Sequence, residues 1–284
     1  MTPTSPPSTP WRILFSGRRS GAWNMAVDAA VLRGVEAGES PPTLRLYSWE
    51  PWCVTLGHFQ DPAQELDPIA LRERGWDVVL RPTGGRAVLH ADELTYSILA
   101  RRDEAPWCAT LAASYDHIGR AWAKALHEFD LQMVKGQPEA TMRSTEEVAP
   151  PCFASSARSE LAFGERKVVG SAQRRTRGAF VQHGSIPLSA DHERLVEVLR
   201  LEPARREGYL RVLRRHAVSL GEISTLAEVF SNPSARAAWE SRLAETLLEA
   251  LGVTGVVGTL TPDEEIFVRQ REAEHQARQK NFLA

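Results

Sequence analysis

The chain has 284 residues and nearly balanced charge, 34 Lys and Arg against 36 Asp and Glu, for a formal net charge of −2. That balance excludes a generally basic nucleic-acid binder, and 43% hydrophobic with 25% charged residues excludes a chain too polar to bury a core. Cys53, Cys108 and Cys152 are an odd number, far apart, with no Cys-x-x-Cys pair and no His/Cys cluster at zinc spacing, so neither a disulfide framework nor a metal site is expected. No uncharged apolar run approaches the about 18 residues that span a bilayer, and residues 1–10 have neither the basic start nor the apolar run of a secretory signal. The expectation is a cytoplasmic protein with reduced thiols and no membrane or nucleic-acid partner.

In chain order, residues 1–10 form a Ser/Thr/Pro-rich tail expected to be disordered, and 11–284 a single domain without a Gly/Ser-rich linker. Trp11–Phe15 reads as a strand. The Ala-rich Met25–Val35 reads as a helix with Ser20 or Asn24 as its cap. Thr43–Ser48 and Cys53–Gly57 are short β-type runs broken by Pro51, and Pro68–Gly75 is a short helix stopped by its glycine. Val78–Leu80 and Ala87–His90 are strands joined across Pro82-Thr83-Gly84-Gly85 by a tight hairpin or a wide loop. Thr95–Leu99 continues as a strand, and Leu111–Phe129 has helical spacing through Ile118, Trp122, Ala125 and Leu126. Gly136–Pro151 reads as a long surface loop, Leu161–Phe163 and Lys167–Gly170 as a hairpin about Gly164-Glu165, and Phe180–Ile186 as a strand. From about 192 to 284 the chain is mainly helical, including Ala237–Leu251 and Asp263–Lys280. The fold class is α+β, with mixed sheets flanked by helices.

Two stretches carry chemistry. In Arg81-Pro82-Thr83-Gly84-Gly85-Arg86-Ala87-Val88-Leu89-His90, consecutive glycines let the backbone approach a ligand where any Cβ would collide. The same residues also fit a plain glycine turn with Arg81 and His90 solvated. The stretch is no phosphate loop, because a strand and not a helix follows it. In Gly164-Glu165-Arg166-Lys167-Val168-Val169-Gly170-Ser171-Ala172-Gln173, one lysine sits on an otherwise apolar strand that ends in small residues. Desolvated, it could hold an acyl carbonyl or tune a nucleophile; taken alone, it reads more simply as an exposed strand lysine.

Together these stretches resemble the biotin/lipoate protein ligase superfamily, lipoate ligase A/B type, with its Arg-x-Thr-Gly-Gly-x-x-Val-x-His and Gly-x-Lys-x-x-Gly-Ser-Ala blocks. Asn24-Met25-Ala26-Val27-Asp28, Cys53-Val54-Thr55-Leu56-Gly57 followed by Gln60, and Gln182-His183-Gly184-Ser185-Ile186 extend the similarity in order and spacing. The resemblance implies a catalytic acyltransferase domain whose acyl pocket is floored by the Gly-Gly turn and closed by the lysine strand. Arg81, Thr83, Gly84, Gly85, His90, Gly170, Ser171, Ala172 and His183 would then bind the acyl substrate. Pro151-Cys152-Phe153 followed by Glu160 is similar to the cysteine loop of octanoyltransferases, which implies Cys152 as nucleophile and Lys167 as its catalytic partner.

The implied reaction moves octanoyl from octanoyl-acyl carrier protein to a lysine of the glycine-cleavage H protein or a lipoyl domain, with no cofactor. A thiolate exchanging with a thioester divides one difficult aminolysis into two easier steps. His90 and His183 invite a general-base role but have no carboxylate orienter visible in the sequence; like Asp28, they read more simply as residues of the fold. Cys53 and Cys108 read as small core hydrophobes. Arg174, Arg175 and Arg177 form a basic patch expected to steer acidic carrier proteins, or a merely solvated turn. The alternatives are an ATP-dependent lipoate ligase, an amidotransferase between lipoyl carriers, and a noncatalytic acyl-carrier-binding protein.

Overall fold

The computed structural model describes residues 9–104, 106–107, 110–135 and 161–284; the loop read over 136–151, Cys108, Cys152 and Glu160 lie outside the described residues. Strand β1 (Trp11–Arg19) is followed by helix α1 (Gly21–Ala37), then by β2 (Thr43–Trp49) and β3 (Cys53–Leu56). Of the two cap candidates Ser20 is the cap, its hydroxyl accepting from the Trp23 amide, so α1 starts a turn before Met25 and encloses Asn24. Short helices α2 (Pro62–Glu65) and α3 (Pro68–Arg74) are each capped by an aspartate with proline in the first turn, and α3 stops at Gly75 in the left-handed region.

Strands β4 (Asp77–Leu80) and β5 (Val88–His90) do not pair with each other. β3 lies between them, parallel to β4 and antiparallel to β5, which makes 81–87 a wide connection crossing the end of a three-stranded sheet and not a tight hairpin. β6 (Glu93–Arg101), helix α4 (Leu111–His127), β7 (Val134–Lys135), β8 (Leu161–Phe163), β9 (Arg166–Arg175) and β10 (Ala179–Pro187) follow. β8 and β9 form the expected hairpin, but β9 runs on through Arg175, so Arg174 and Arg175 are strand residues and not part of a turn.

The helical end comprises a 3-10 helix (Ala190–Glu197), α5 (Pro203–His216), α6 (Leu220–Ile223), α7 (Ala227–Ser231), α8 (Pro233–Leu251) and α9 (Pro262–Leu283). It departs from an all-helical reading at β11 (Gly255–Val257), which pairs parallel with Trp11–Ile13. The large sheet has the order β11-β1-β2-β6-β10-β9-β8-β7.

Period-two side chains place the helices. Ile13, Ile98 and Phe180 face α4 and α8 through Ile118, Trp122, Leu243 and Leu247. Their neighbours Leu14, Leu99 and Val181 face α1, with Val268 of α9 packed behind it. The three-stranded sheet packs against Leu71, Leu195 and Leu213 from α3, the 3-10 helix and α5. Among the described residues no helix is long and apolar enough to cross a membrane.

Candidate active site

A cleft of about 460 Å3, including the open solvent at its mouth, lies where the two sheets meet. β2 supplies Tyr47 and Trp49, β3 Thr55, β5 Val88 and His90, β6 Thr95, β9 Lys167 and Gly170–Ala172, and β10 His183–Ser185. The separate sequence blocks therefore meet in space. Lys167 is only 5% exposed, not the exposed strand lysine that its stretch alone suggested, and lines this cleft with Gly170, Ser171 and Ala172. Gly184 allows β9, β10 and β6 to close up: a Cβ there would lie 2.4 Å from the Tyr96 ring, whose hydroxyl is 2.8 Å from Ser171 Oγ.

Arg81 is buried beside the cleft with its donors directed into the fold. Its Nε and one terminal nitrogen donate to the Gly84 carbonyl at 3.2 and 2.9 Å, the latter nitrogen also to the Arg86 carbonyl at 2.7 Å, and the other to the Thr55 carbonyl and Oγ1 at 3.0 and 3.1 Å. Those bonds use the five N–H donors that a guanidinium has, so Arg81 clamps the turn 82–86. Gly84 and Gly85 are exposed beside the lining residues Arg81 and Val88, and Gly85 has φ 98°, a conformation that favours glycine. Thr83 is buried beneath the turn, its Oγ1 2.7 Å from His183 Nε2.

Both histidines have the carboxylate partner that the sequence concealed. His90 Nδ1 lies 2.7 Å from Glu93 Oε1, its Nε2 lies 2.8 Å from Thr55 Oγ1, and its ring stacks on Trp49 at 4.2 Å. Glu93 was missed, although it stands three residues after His90. Its buried carboxylate also accepts from Trp49 Nε1 at 3.2 Å, Ser185 Oγ at 2.5 Å and the Thr95 hydroxyl. Burial opposes its charge, but His90 and these hydroxyls outweigh that and hold its carboxyl below the usual range.

His183 Nδ1 lies 3.5 Å from Asp28 Oδ2. Asp28 also accepts from Arg45 at 2.8 Å, Ser97 Oγ at 2.8 Å and Tyr47 OH at 3.2 Å. Burial raises its pKa and Arg45, with His183, more than reverses the effect. Burial pushes His183 below the ordinary imidazole value and so favours its neutral form. Thr55, Thr95, Trp49 and Ser185 are lining residues that sequence reasoning did not single out; only their place in or beside the similar blocks pointed to them.

The basic patch divides. Arg174 is exposed and donates to the Pro82 carbonyl at 3.1 Å, beside the turn. Arg175 is half-buried and turned into the fold, bonded to Ser114 Oγ at 2.8 Å and the Thr110 carbonyl at 3.0 Å. Arg177 is exposed and lies by Glu36, whose carboxyl is lowered first by the Gly178 amide and also by Arg177. Cys53 is fully buried, and burial with Asp77 and Glu93 nearby pushes its thiol well up, as suits a core hydrophobe.

Residues 20–237 match the model of the lipoyl protein ligase A/B catalytic domain. The chain is 38% identical to the octanoyltransferase LipM of Kyrpidia tusciae, over 96% of this chain and 98% of that one. It is 32% identical to the octanoyltransferase LipM of Clostridioides difficile, over 92% and 94%. Among solved structures it resembles a bi-partite lipoate protein ligase of Thermoplasma acidophilum, with TM-score 0.75, 20% identity, and 94% and 93% of the two chains covered. A lipoate-protein ligase A bound with ATP gives TM-score 0.73 at 20% identity, with 94% and 95% covered. These two likenesses bear on the fold, and the LipM relatives on the activity: the chain belongs to the lipoyl protein ligase A/B catalytic-domain family and is an octanoyltransferase.

Proposed function

We propose that octanoyl arrives as the thioester of acyl carrier protein, is held on Cys152, and leaves as the amide of a lysine on a lipoyl carrier, the glycine-cleavage H protein or a lipoyl domain. The Cys152 thiolate attacks the thioester carbonyl, its new C–S bond forms as the carrier's C–S bond breaks, and the carrier thiolate takes up a proton. The acceptor amine then attacks the acyl-cysteine, its C–N bond forms as the C–S bond breaks, and the proton lost by the amine returns to the cysteine sulfur. Each half-reaction is balanced without ATP, and the first exchanges one thioester for another.

Lys167 is the observation that carries this reading: a cation buried at a cleft lined by Trp49, Tyr47 and Val88 is suited to hold a thiolate ionised and to stabilise the carbonyl oxygen as it becomes negative. Gly170 and Ala172, small residues beside it, leave room for an acyl chain. The test is intact mass after mixing protein with octanoyl-acyl carrier protein in the absence of ATP. Gain of one octanoyl group by the wild type, and none by Cys152→Ala or Lys167→Met, is expected. Absence of acylation in the wild type, with carrier modification only when free octanoate and Mg-ATP are present, would overturn the reading.

A further inference from the structure

We infer that Glu93–His90–Thr55 and Asp28–His183–Thr83 are two positioning relays that converge on the 82–86 turn and fix the adjoining wall of the acyl cleft, and that neither histidine is the reaction's base. This rests on the proposal that the cleft binds the acyl group. In the first relay, His90 spans Glu93 Oε1 at 2.7 Å and Thr55 Oγ1 at 2.8 Å; Thr55 Oγ1 in turn accepts from Arg81 at 3.1 Å, and Arg81 donates to Gly84 O at 2.9 Å. In the second, His183 spans Asp28 Oδ2 at 3.5 Å and Thr83 Oγ1 at 2.7 Å, and Thr83 is itself in the turn. One chain grips the turn through the guanidinium and the other through the threonine hydroxyl.

The carboxylates set the direction of these chains. A carboxylate opposite Nδ1 keeps the ring proton on that atom, so Nε2 accepts from the threonine hydroxyl. A general base needs a free lone pair aimed at the proton it removes. Both Nε2 atoms are occupied by buried threonines: Thr55 and Thr83 are each 1% exposed. The anchors are correspondingly rigid, since Glu93 is tied to Trp49, Thr95 and Ser185 and Asp28 to Arg45, Tyr47 and Ser97, side chains of the large sheet. The relays therefore run from the large sheet to the end of the small one, across the seam in which the cleft lies. Arg81 and Val88 flank the turn and line the cleft, so a turn that drifts carries that wall with it.

Glu93→Gln and Asp28→Asn keep side-chain volume and remove the charge that orients each ring; His90→Gln and His183→Gln remove the ring nitrogens. Hydrogen exchange read by mass spectrometry on the peptide covering 56–60 reports the turn without substrate, because the His58 amide donates to the Thr83 carbonyl at 2.9 Å. The expected result is exchange about tenfold faster in that peptide, the size of one lost hydrogen bond to a charged group, with β6 and β10 protected as in the wild type. Octanoyl transfer at varied donor concentration should show kcat/KM reduced about tenfold with the shape of the pH–rate profile retained. The Glu93→Gln, Asp28→Asn double variant should fall less than the product of the two single losses, because both act on one turn. Unchanged exchange over 56–60, a vanished limb of the pH profile, or strictly multiplicative losses would overturn the inference. If the wild type is not acylated yet exchange responds as described, the relays stand and the acyl-cysteine reading fails.

Discussion

Replacing Gly57 by alanine tests whether the turn must lie against the end of β3. A Cβ at residue 57 would stand 2.0 Å from the Gly85 carbonyl oxygen, whereas real Cβ contacts under 3.0 Å essentially never occur, so the turn must retreat by about 1 Å. The struck atom is backbone in a segment clamped by Arg81 and cannot swing aside as a side-chain end could. Overpacking of this kind costs about 1–3 kcal/mol, which for a chain of this size lowers the melting temperature by roughly 2–10 °C. A misplacement of about 1 Å at a reacting centre can cost about 100-fold in rate. Gly84→Ala is the control: nothing lies within 4 Å of its added Cβ and Gly84 is not among the positive-φ glycines, so stability should change by no more than about 0.5 kcal/mol. Thermal melts and kcat/KM for octanoyl transfer, measured on both variants, decide the matter. A Gly57→Ala protein that melts and turns over like the wild type, or a Gly84→Ala protein that melts as low as Gly57→Ala, would refute the reasoning.

Arg45→Met should lower stability by about 3–5 kcal/mol in chemical denaturation, because it takes from the buried Asp28 carboxylate its paired cation and leaves Asn24 Oδ1 without its donor. The pH dependence of the melting temperature should show two declines on acidification. His183, like His117, His192 and His275, has a folded pKa that burial holds below its unfolded value of about 6.5, so the unfolded chain binds the proton more readily and stability falls from about pH 6.5 downward; Glu93 and Asp28 have lowered folded pKa values, so their contribution, complete above about pH 5, is lost as pH falls further. His183→Gln should make the first decline shallower without removing it, since His117, His192 and His275 remain, as melts between pH 4.5 and 8 would record. Arg174→Glu with Arg177→Glu should reduce kcat/KM for the carrier donor about tenfold at low ionic strength and leave it unchanged at high salt, whereas Arg175→Glu should chiefly destabilise the join between β9 and α4. Arg236→Met should raise KM for the donor as well as lower the melting temperature, since it releases the backbone at the start of β6.

What was legible in the sequence is what local chemistry decides. Ala-rich α1, the capped α3, the amphipathic α4 and the β8–β9 hairpin each follow from periodicity and from Ser, Thr, Asp, Gly or Pro at their ends. The wide crossing over 81–87 was not decided, because strand neighbours are chosen by long-range pairing: β3 takes the place between β4 and β5 from 33 to 37 residues upstream of its partners in β5. β11 was missed for the same reason, three residues whose partner is Trp11–Ile13 at the other end of the chain. At the site, the apolar neighbours of Lys167 allowed a desolvated lysine but alone favoured an exposed one; its 5% exposure comes from the packing of β9 against the segment at Ala217 and Val218. The partners of the histidines could not. Asp28 reaches His183 from α1, and Glu93 sits at a strand start where a charged residue normally faces water. The patch of arginines shows the opposite error, since adjacency in sequence says nothing about side: on a strand Arg174 and Arg175 point to opposite faces, one toward solvent and one into α4.

The helical end of the chain reaches the cleft through a buried guanidinium as well as through the Val218 amide, which donates to the Lys167 carbonyl at 3.0 Å. Arg236, at the start of α8 and only 7% exposed, donates to the Glu93 carbonyl at 2.7 Å, to Ser48 Oγ at 2.9 Å and to Asp92 at 3.0 Å, while Ser48 Oγ donates to that same Glu93 carbonyl at 2.9 Å. Glu93 is thus held at both ends, its backbone by α8 and β2 and its carboxylate by side chains that line the cleft. A buried carboxylate is tolerable only where every oxygen is satisfied, and satisfying it requires that β2, β5, β6 and β10 stand in one mutual arrangement. An apolar seam between two sheets could slide to accommodate many contents, because dispersion contacts have little directional preference. Hydrogen bonds to one carboxylate do have a direction, so the polar floor of this cleft specifies its shape in a way that Trp49, Tyr47 and Val88 alone would not.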